Sequence, residues 1–379
     1  MQRTIVLLMV MSAIVAACAS NSYELRVNEA RNHIIGNRFD NAESLLNNLI
    51  DRYPRKPELH YLLGDQNYRR GDFNSCLVHF DRAERMGYEG GYSFYAEKGI
   101  SLYRIGSMKE AETALRRSIA MNPSPEAGKY LGIILSRQGN NTAALPYLQT
   151  ALESFPDDVD ILASLGRTLS HTGNTAEAAA MLKRASDANP GNAGLAFDAA
   201  NMLMLSERFD EAFDLYKSIP NNAPMKDESL YNAGNAALHM GDYSAAVRVL
   251  KDYAVINPDD TEALINLASA MIKTGEFVEA IDALAPLARN NIQDVRISYN
   301  LGLAYLNLKA YAQAADILAD AVEGYPEDPE FRYALALALT GTGNISSARK
   351  QMDAVLRSDP THTNALKWMK QYPETTVRE

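Results

Sequence analysis

Cysteine and histidine are scarce in this sequence: 379 residues hold two cysteines, Cys18 and Cys76, and six scattered histidines. That rules out a disulfide framework and leaves no Cys/His set for a structural zinc. An excess of positive charge is missing too, since 37 Lys plus Arg stand against 47 Asp plus Glu, for a formal charge of −10. Nucleic-acid binders need Lys and Arg to displace counterions from phosphate, and polybasic membrane patches need the same side chains. Both classes are disfavoured. Tryptophan occurs once, at Trp368. No HExxH, paired CxxC, Walker A loop, GxSxG elbow or strand-borne GxGxxG is present, and Gly341-Thr342-Gly343 falls on a repeating turn. The chain reads as a non-enzyme with no cofactor and no metal.

Long apolar runs are absent as well. The one at the start, Ile5–Ala17, is interrupted by Ser12 and follows the single charge of Arg3. It falls short of the about 20 residues that cross a bilayer, but suits the apolar core of a secretory signal, so residues 1–17 are set apart from the fold. The run ends in Val15-Ala16-Ala17-Cys18, which resembles the lipobox of bacterial lipoproteins. The resemblance implies cleavage before Cys18 and acylation of that residue, palmitate included, with residues 18–22 as a tether. Several acyl chains make such an anchor durable where one gives marginal binding. Ala19 rather than Asp at the next position implies, by the same resemblance, the outer membrane facing the periplasm.

What the sequence has in abundance is one unit, used ten times. A turn residue recurs at Asn37, Gly71, Gly106, Gly139, Gly173, Glu207, Gly241, Gly275, Lys309 and Gly343, with separations of 34, 35, 33 and then 34 throughout. Five residues later the side chain is small at every repeat (Ala or Cys76), and nine later it is large, as in Phe80, Leu115, Leu182 and Tyr216. Seven before the mark it is always Gly or Ala, and proline stands seventeen after it in eight repeats. Two apolar stretches at helical spacing flank each mark, with a good N-cap such as Asp72, Ser107, Asn140, Asn174, Asp242 or Asn344 following it. Two helices therefore meet at a tight turn, and proline stops the second. Pro57, Pro125 and Pro329 open the next unit, where a missing N–H costs nothing.

This spacing of small and large residues is similar to the tetratricopeptide repeat, over about residues 23–360. One hairpin cannot cover its own apolar face, so the expected fold is an all-α solenoid of about ten helix-turn-helix repeats. The resemblance implies a right-handed superhelix whose first helices line a concave face. Residues 361–379 form a cap and tail, with a helix over Thr363–Tyr372 packing Trp368 on the last hairpin and turning Lys367 and Lys370 to water.

Several departures are expected to alter local shape. The glycine-rich segment Met86–Gly91 lengthens one repeat and reads as flexible. Ser218–Pro224 should end its helix early and bend the stack near residue 220, and Pro146 and Pro286 should kink or shorten second helices. Cys76 takes the small packing position and reads as an inert buried thiol, while His171 and His239 read as surface residues.

The resemblance also implies where a ligand would lie. Family members present ligand-facing side chains from the first helix, and the matching positions here hold Phe197, Tyr231, Tyr299 and Tyr333 at the fifth, Asn232, Asn266 and Asn300 at the sixth, and Asn201 and Asn235 at the ninth. Asparagine amides pair with both the N–H and C=O of an extended peptide, and tyrosine adds apolar area with a polar tip. The same asparagines serve equally well to tie neighbouring helices, and the sequence leaves both roles open. The clamp for a terminal carboxylate is not reproduced: second positions are acidic, as in Glu228 and Glu262, and Lys129 stands alone among the fifth. Arg69, Arg104 and Arg137 recur at the thirteenth position as a local basic strip, or as partners in salt bridges.

The function expected from these readings is a protein-interaction scaffold on the outer membrane, with envelope or periplasmic proteins as partners. Lipid-anchored repeat proteins of this kind resemble assembly factors of pili and secretion systems, including the tight-adherence pilus lipoproteins. Docking of cell-wall hydrolases or proteases, and an accessory role in exopolysaccharide export, are the alternatives. An Asn/Tyr row suits peptide better than sugar, for which more tryptophan would be expected.

Overall fold

A computed structural model describes residues 22–289 and 294–373, so the signal segment, Cys18 and the last six residues lie outside the described part. The described residues form helices throughout and no strand. They divide into two compact units, residues 1–189 and 190–379.

The first unit stacks five hairpins: α1 (22–35) with α2 (Phe39–Arg52), α3 (Pro57–Arg70) with α4 (Phe73–Arg85), α5 (Tyr92–Arg104) with α6 (Met108–Met121), α7 (Pro125–Arg137) with α8 (Asn141–Ser154), and α9 (Val159–His171) with α10 (Thr175–Ala188). The second pairs α11 (Ala193–Leu205) with α12 (Phe209–Ser218), α13 (Lys226–Met240) with α14 (Tyr243–Ile256), α15 (Thr261–Thr274) with α16 (Phe277–Arg289), α17 (Val295–Asn307) with α18 (Tyr311–Gly324), and α19 (Pro329–Gly341) with α20 (Ile345–Ser358). A last helix, α21 (Thr363–Gln371), closes the second unit.

All ten turn marks adopt the left-handed backbone that ends a helix, including the three that are not glycine: Asn37 at φ 54°, Glu207 at 59° and Lys309 at 60°. Repeat geometry therefore overrides residue preference at these three. Of the six N-caps expected after the marks, Asp72, Asp242 and Asn344 accept the backbone N–H three residues on. Ser107, Asn140 and Asn174 make no such bond, so the turn there holds without a side-chain cap. Asp158, Asp260 and Asp328 cap first helices as their loop positions imply.

The small and large positions meet face to face within each hairpin. A Cβ on Gly64 would lie 2.2 Å from the Phe80 ring, and one on Gly234 or Gly302 would lie 2.4 or 2.3 Å from the leucine opposite. The close contact is thus internal to the repeat. Leu115, Leu148, Leu250, Leu284 and Leu318 are fully buried there, each such burial contributing about 1.5–3 kcal/mol.

Two expectations about shape are corrected and a third is met. Pro146 does not shorten its helix, because α8 keeps 14 residues, and α16 runs through Pro286 to Arg289. The Met86–Gly91 segment is pinned by its tyrosine: Tyr88 stacks on Tyr61 at 4.9 Å and meets Phe94 edge-on at 5.5 Å. The early break is as expected, with α12 only 10 residues long before Ile219 and Pro220. Cys76 is buried with its Sγ 3.3 Å from the Ser101 hydroxyl, and burial pushes the thiol up to about 12. Trp368 of α21 packs among Ala336, Met352 and Val355 and donates its indole N–H to Thr340 at 3.0 Å, with Lys367 and Lys370 exposed.

Candidate interaction surfaces

The asparagines of the second unit stand on the first helices of four successive repeats, and the fold joins some of them in pairs. Tyr216, from the second helix α12, donates its hydroxyl hydrogen to the Asn201 side-chain oxygen at 2.5 Å. Burial raises the Tyr216 pKa, with the nearby Asn232 side chain partly opposing it. The Tyr216–Asn201 bond thus ties α12 to α11 within one hairpin. One repeat further, the Asn266 amide donates to the Asn235 carbonyl oxygen at 3.0 Å, linking α13 to α15. An asparagine side chain offers two N–H donors and two lone pairs, so each of these residues keeps hydrogen-bonding capacity beyond the bond that ties the helices.

The other predicted positions are placed differently. Asn300 is only 8% exposed, so it belongs to the packing of α17 and does not extend the set outward. Phe197 lies edge-on to Tyr216 at 5.9 Å, and Tyr231 is tilted against Tyr253 at 5.4 Å. Tyr299 packs on Phe331 at 4.5 Å, and burial among carboxylates pushes its hydroxyl up to about 12. Tyr333 faces the His362 ring at 4.9 Å. These aromatics are half-buried: Phe197 and Tyr231 pack within their own hairpins, while Tyr299 and Tyr333 reach the next one or the cap. Glu262, at the second position, pairs with Arg296 through both guanidinium ends.

In the first unit the thirteenth-position arginines split into two kinds. Arg69 is bound to Asp65 at 2.7 Å, one helical turn back. Arg104 instead lies 5.6 Å from the Tyr130 ring and donates to its hydroxyl at 2.9 Å, and Arg137 lies 5.4 Å from the Tyr103 ring. Lys129 is occupied by Asp158. His171 and His239 are exposed, as expected, with His239 stacked on Phe209 at 4.6 Å.

Two features went unread in the sequence. Tyr216 fills a column otherwise held by Leu, Phe and Met, and the hydroxyl there was the available signal. Glu97 occupies the sixth position of α5, with its Oε2 screened from solvent and lacking a hydrogen-bond partner. Burial raises its carboxyl to about 8, helped by the negative charge of Asp65 and opposed by Arg69. A carboxylate on a helix face lined with tyrosines was the signal missed. Among the described residues no cluster of His, Cys, Asp and Glu is arranged to hold a metal, and no helix is long and apolar enough to cross a membrane.

Comparison with known family models agrees with a repeat along the chain. A tetratricopeptide repeat model matches residues 171–234, 237–304 and 305–371, and a second model of the same description matches 27–75, 96–159 and 130–193. Among solved structures, MamA (41-end) from Desulfovibrio magneticus RS-1 is 21% identical, with 45% of this chain and 97% of that one covered at a TM-score of 0.42. A tetratricopeptide repeat protein from Parabacteroides merdae ATCC 43184 is 16% identical, covering 65% of this chain and 98% of that one at 0.36. No curated protein matches the chain.

Proposed function

The chain belongs to the tetratricopeptide-repeat family, and from that premise we propose that it is a non-enzymatic scaffold that holds other proteins of the cell envelope along the exposed faces of its first helices. Repeats of this family serve in general as protein-binding surfaces. The observation that carries the reading is the hydrogen-bonded pairs Asn201–Tyr216 and Asn235–Asn266, which hold amides in fixed positions on neighbouring helices. Side chains locked by their own hydrogen bonds lose little freedom on binding, so the surface is organised in advance. Amides held in this way favour an extended polypeptide backbone over a sugar polymer.

The envelope location rests on Val15-Ala16-Ala17-Cys18 and the apolar run before it. With Cys18 acylated, the repeats would hang from the outer membrane into the periplasm, where a scaffold for pilus or secretion assembly would work. Two measurements test the two halves separately. Radiolabelled palmitate should enter the wild-type chain and not Cys18→Ser; equal labelling removes the anchor. Asn232→Ala with Asn266→Ala should lose partners in an envelope pull-down, and retention of every partner moves the binding surface elsewhere.

A further inference from the structure

The first and last hairpins are finished differently. At the last one, α21 packs Ala365 and Trp368 on Met352 and Val355. Among the described residues nothing covers the first in this way: α1 turns Leu25 to solvent at 71% exposure, and Asn28, Asn32 and Ile35 are exposed with it, Ile35 at 69%. Leu25 holds the position, twelve before the turn mark, at which Leu59, Phe94 and Ile161 are buried. Asn32, five before the mark, corresponds to Ser101 and Thr168, both wholly buried. In those repeats the preceding hairpin supplies the cover. Ser101 meets the Cys76 Sγ at 3.3 Å, and Thr168 donates to the Ser136 hydroxyl at 2.8 Å. α1 thus presents a repeat interface left open to solvent.

The open face has a definite chemistry. Leu25, Asn28, Asn32 and Ile35 follow at spacings of three and four, so they share one side of a helix about 21 Å long. None of the four is charged. Beside them Glu24 and Arg26 offset each other, Glu29 stands 3.9 Å from His33, and Arg31 is bound to Glu58. A face so nearly neutral has no particular attraction for anionic headgroups. It pairs two aliphatic tips with amides that both donate and accept hydrogen bonds, which suits the layer where acyl chains meet uncharged or zwitterionic headgroups.

We propose that this face of α1 lies on a zwitterionic phospholipid surface, with Leu25 and Ile35 entering its boundary layer. The inference rests on the reading of Cys18 as the anchor and goes beyond it, because an anchor fixes a point and not the side of the protein that meets the lipid. Cys18 precedes Ser22, the first residue of α1, by four residues, which span no more than about 14 Å at full extension. An acylated Cys18 therefore holds the start of α1 within that distance of the membrane. Two aliphatic side chains are too few to bind a membrane unaided, but so short a tether raises their effective concentration at the surface to roughly the millimolar range. A second copy of the chain could also cover an open interface. The tether favours lipid, since each α1 meets its own membrane before it meets another molecule. Docking on this side fixes the orientation of the first hairpin to the membrane.

The test is hydrogen exchange read by mass spectrometry on the full acylated chain in vesicles of phosphatidylethanolamine and phosphatidylcholine, with the Cys18→Ser chain free beside the same vesicles. Anchoring should slow exchange in α1 about fivefold or more, while α14, which turns Val255 to solvent at 83% exposure, exchanges equally in both. Leu25→Gln with Ile35→Gln should abolish the slowing although the chain stays on the vesicles, and Val255→Gln should leave it intact. Raising the salt to about 0.5 M should not weaken the contact, because no charge pair holds it. Both substituted side chains are exposed, and an unaltered circular-dichroism melt confirms that the double variant folds. Equal exchange of α1 in the anchored and free chains overturns the proposal, as does slowing that survives the double substitution. Slowing that appears in concentrated Cys18→Ser chain without lipid also overturns it, in favour of a second copy. A chain that takes up no palmitate loses the anchor reading and this proposal together, whereas an anchored chain with no protection in α1 loses this proposal alone.

Discussion

Gly166 faces Leu182 so closely that a Cβ at residue 166 would lie 2.6 Å from the leucine Cγ and 3.2 Å from the Ala178 carbonyl oxygen. α9 and α10 are joined there by a contact with no spare volume, and Leu182 is itself 1% exposed. Gly166→Ala should force one helix outward and cost about 1–3 kcal/mol. Hydrogen exchange of the α9 and α10 amides is the readout, since a repeat array loosens locally before it unfolds as a whole. Unchanged protection in both helices would mean the pair is not a close contact. Leu182→Ala in the same chain should relieve the clash and recover part of the loss.

Glu207 and Lys309 hold positive φ at turn marks where most repeats use glycine. A side chain in this region costs about 1–2 kcal/mol. Glu207→Gly should therefore stabilise the α11–α12 hairpin by up to about 1 kcal/mol, after the greater freedom that glycine gives the unfolded chain is subtracted. The check is a urea titration followed through the second unit. Gly173→Ala, at φ 85°, should move stability the opposite way.

Acid should weaken the first unit through a histidine pair of which His60 is buried and His79 half-buried. The His60 and His79 rings are stacked at 5.8 Å, and neither Nδ1 has a hydrogen-bond partner. Burial, then the charges of Arg82 and His79, lower the His60 pKa from 6.5 to about 4. His79 is lowered by burial and by Arg82, with Glu43 opposing. The folded state holds His60 neutral, so its contribution is complete above pH 6.5 and is lost as pH falls from there towards 4. His60→Phe should flatten that limb of a stability–pH curve; an acid limb identical to wild type would assign it to other groups.

Glu97 acts in the opposite sense. Its folded pKa is raised from 4.5 to about 8, chiefly by burial and then by Asp65, so the fold favours the protonated form. The contribution is complete below pH 4.5 and declines as pH rises through 8. Glu97→Gln should raise the melting temperature at pH 8 and change it little at pH 4.5. A larger gain at the lower pH would contradict the assignment.

The hydroxyl of Tyr216 holds the Asn201 side chain. Tyr216→Phe should keep the ring packing on Phe197 while removing the hydrogen bond to Asn201, at a cost of about 0.5–1.5 kcal/mol. The side-chain amide NMR shift of Asn201 reports the change directly. If that shift does not move, the phenol does not hold Asn201.

The repeat could be read residue by residue because its signals are local. A small side chain seven before the turn and a large one nine after it meet inside one hairpin, as Gly132 meets Leu148, and the turn between them needs only a left-handed residue. Even so, Glu207 and Lys309 were legible as turn marks only through the period, since neither residue type prefers that backbone. Side-chain caps were less legible: Asn174 and Asn344 occupy equivalent places, yet only Asn344 closes the bond.

The linear chain thus determined an all-helical series of hairpins, the place of each turn and the burial of Cys76, because these follow from spacings within one unit. Only the tertiary structure decided which polar side chains of the exposed faces hold each other. Asn266 reaches Asn235 across 31 residues, and Arg137 crosses a repeat to stack on Tyr103. Such contacts depend on how far one helix lies from the next and how it is rotated. A period of 34 residues fixes that two side chains occupy neighbouring repeats, but not whether their tips come within bonding distance.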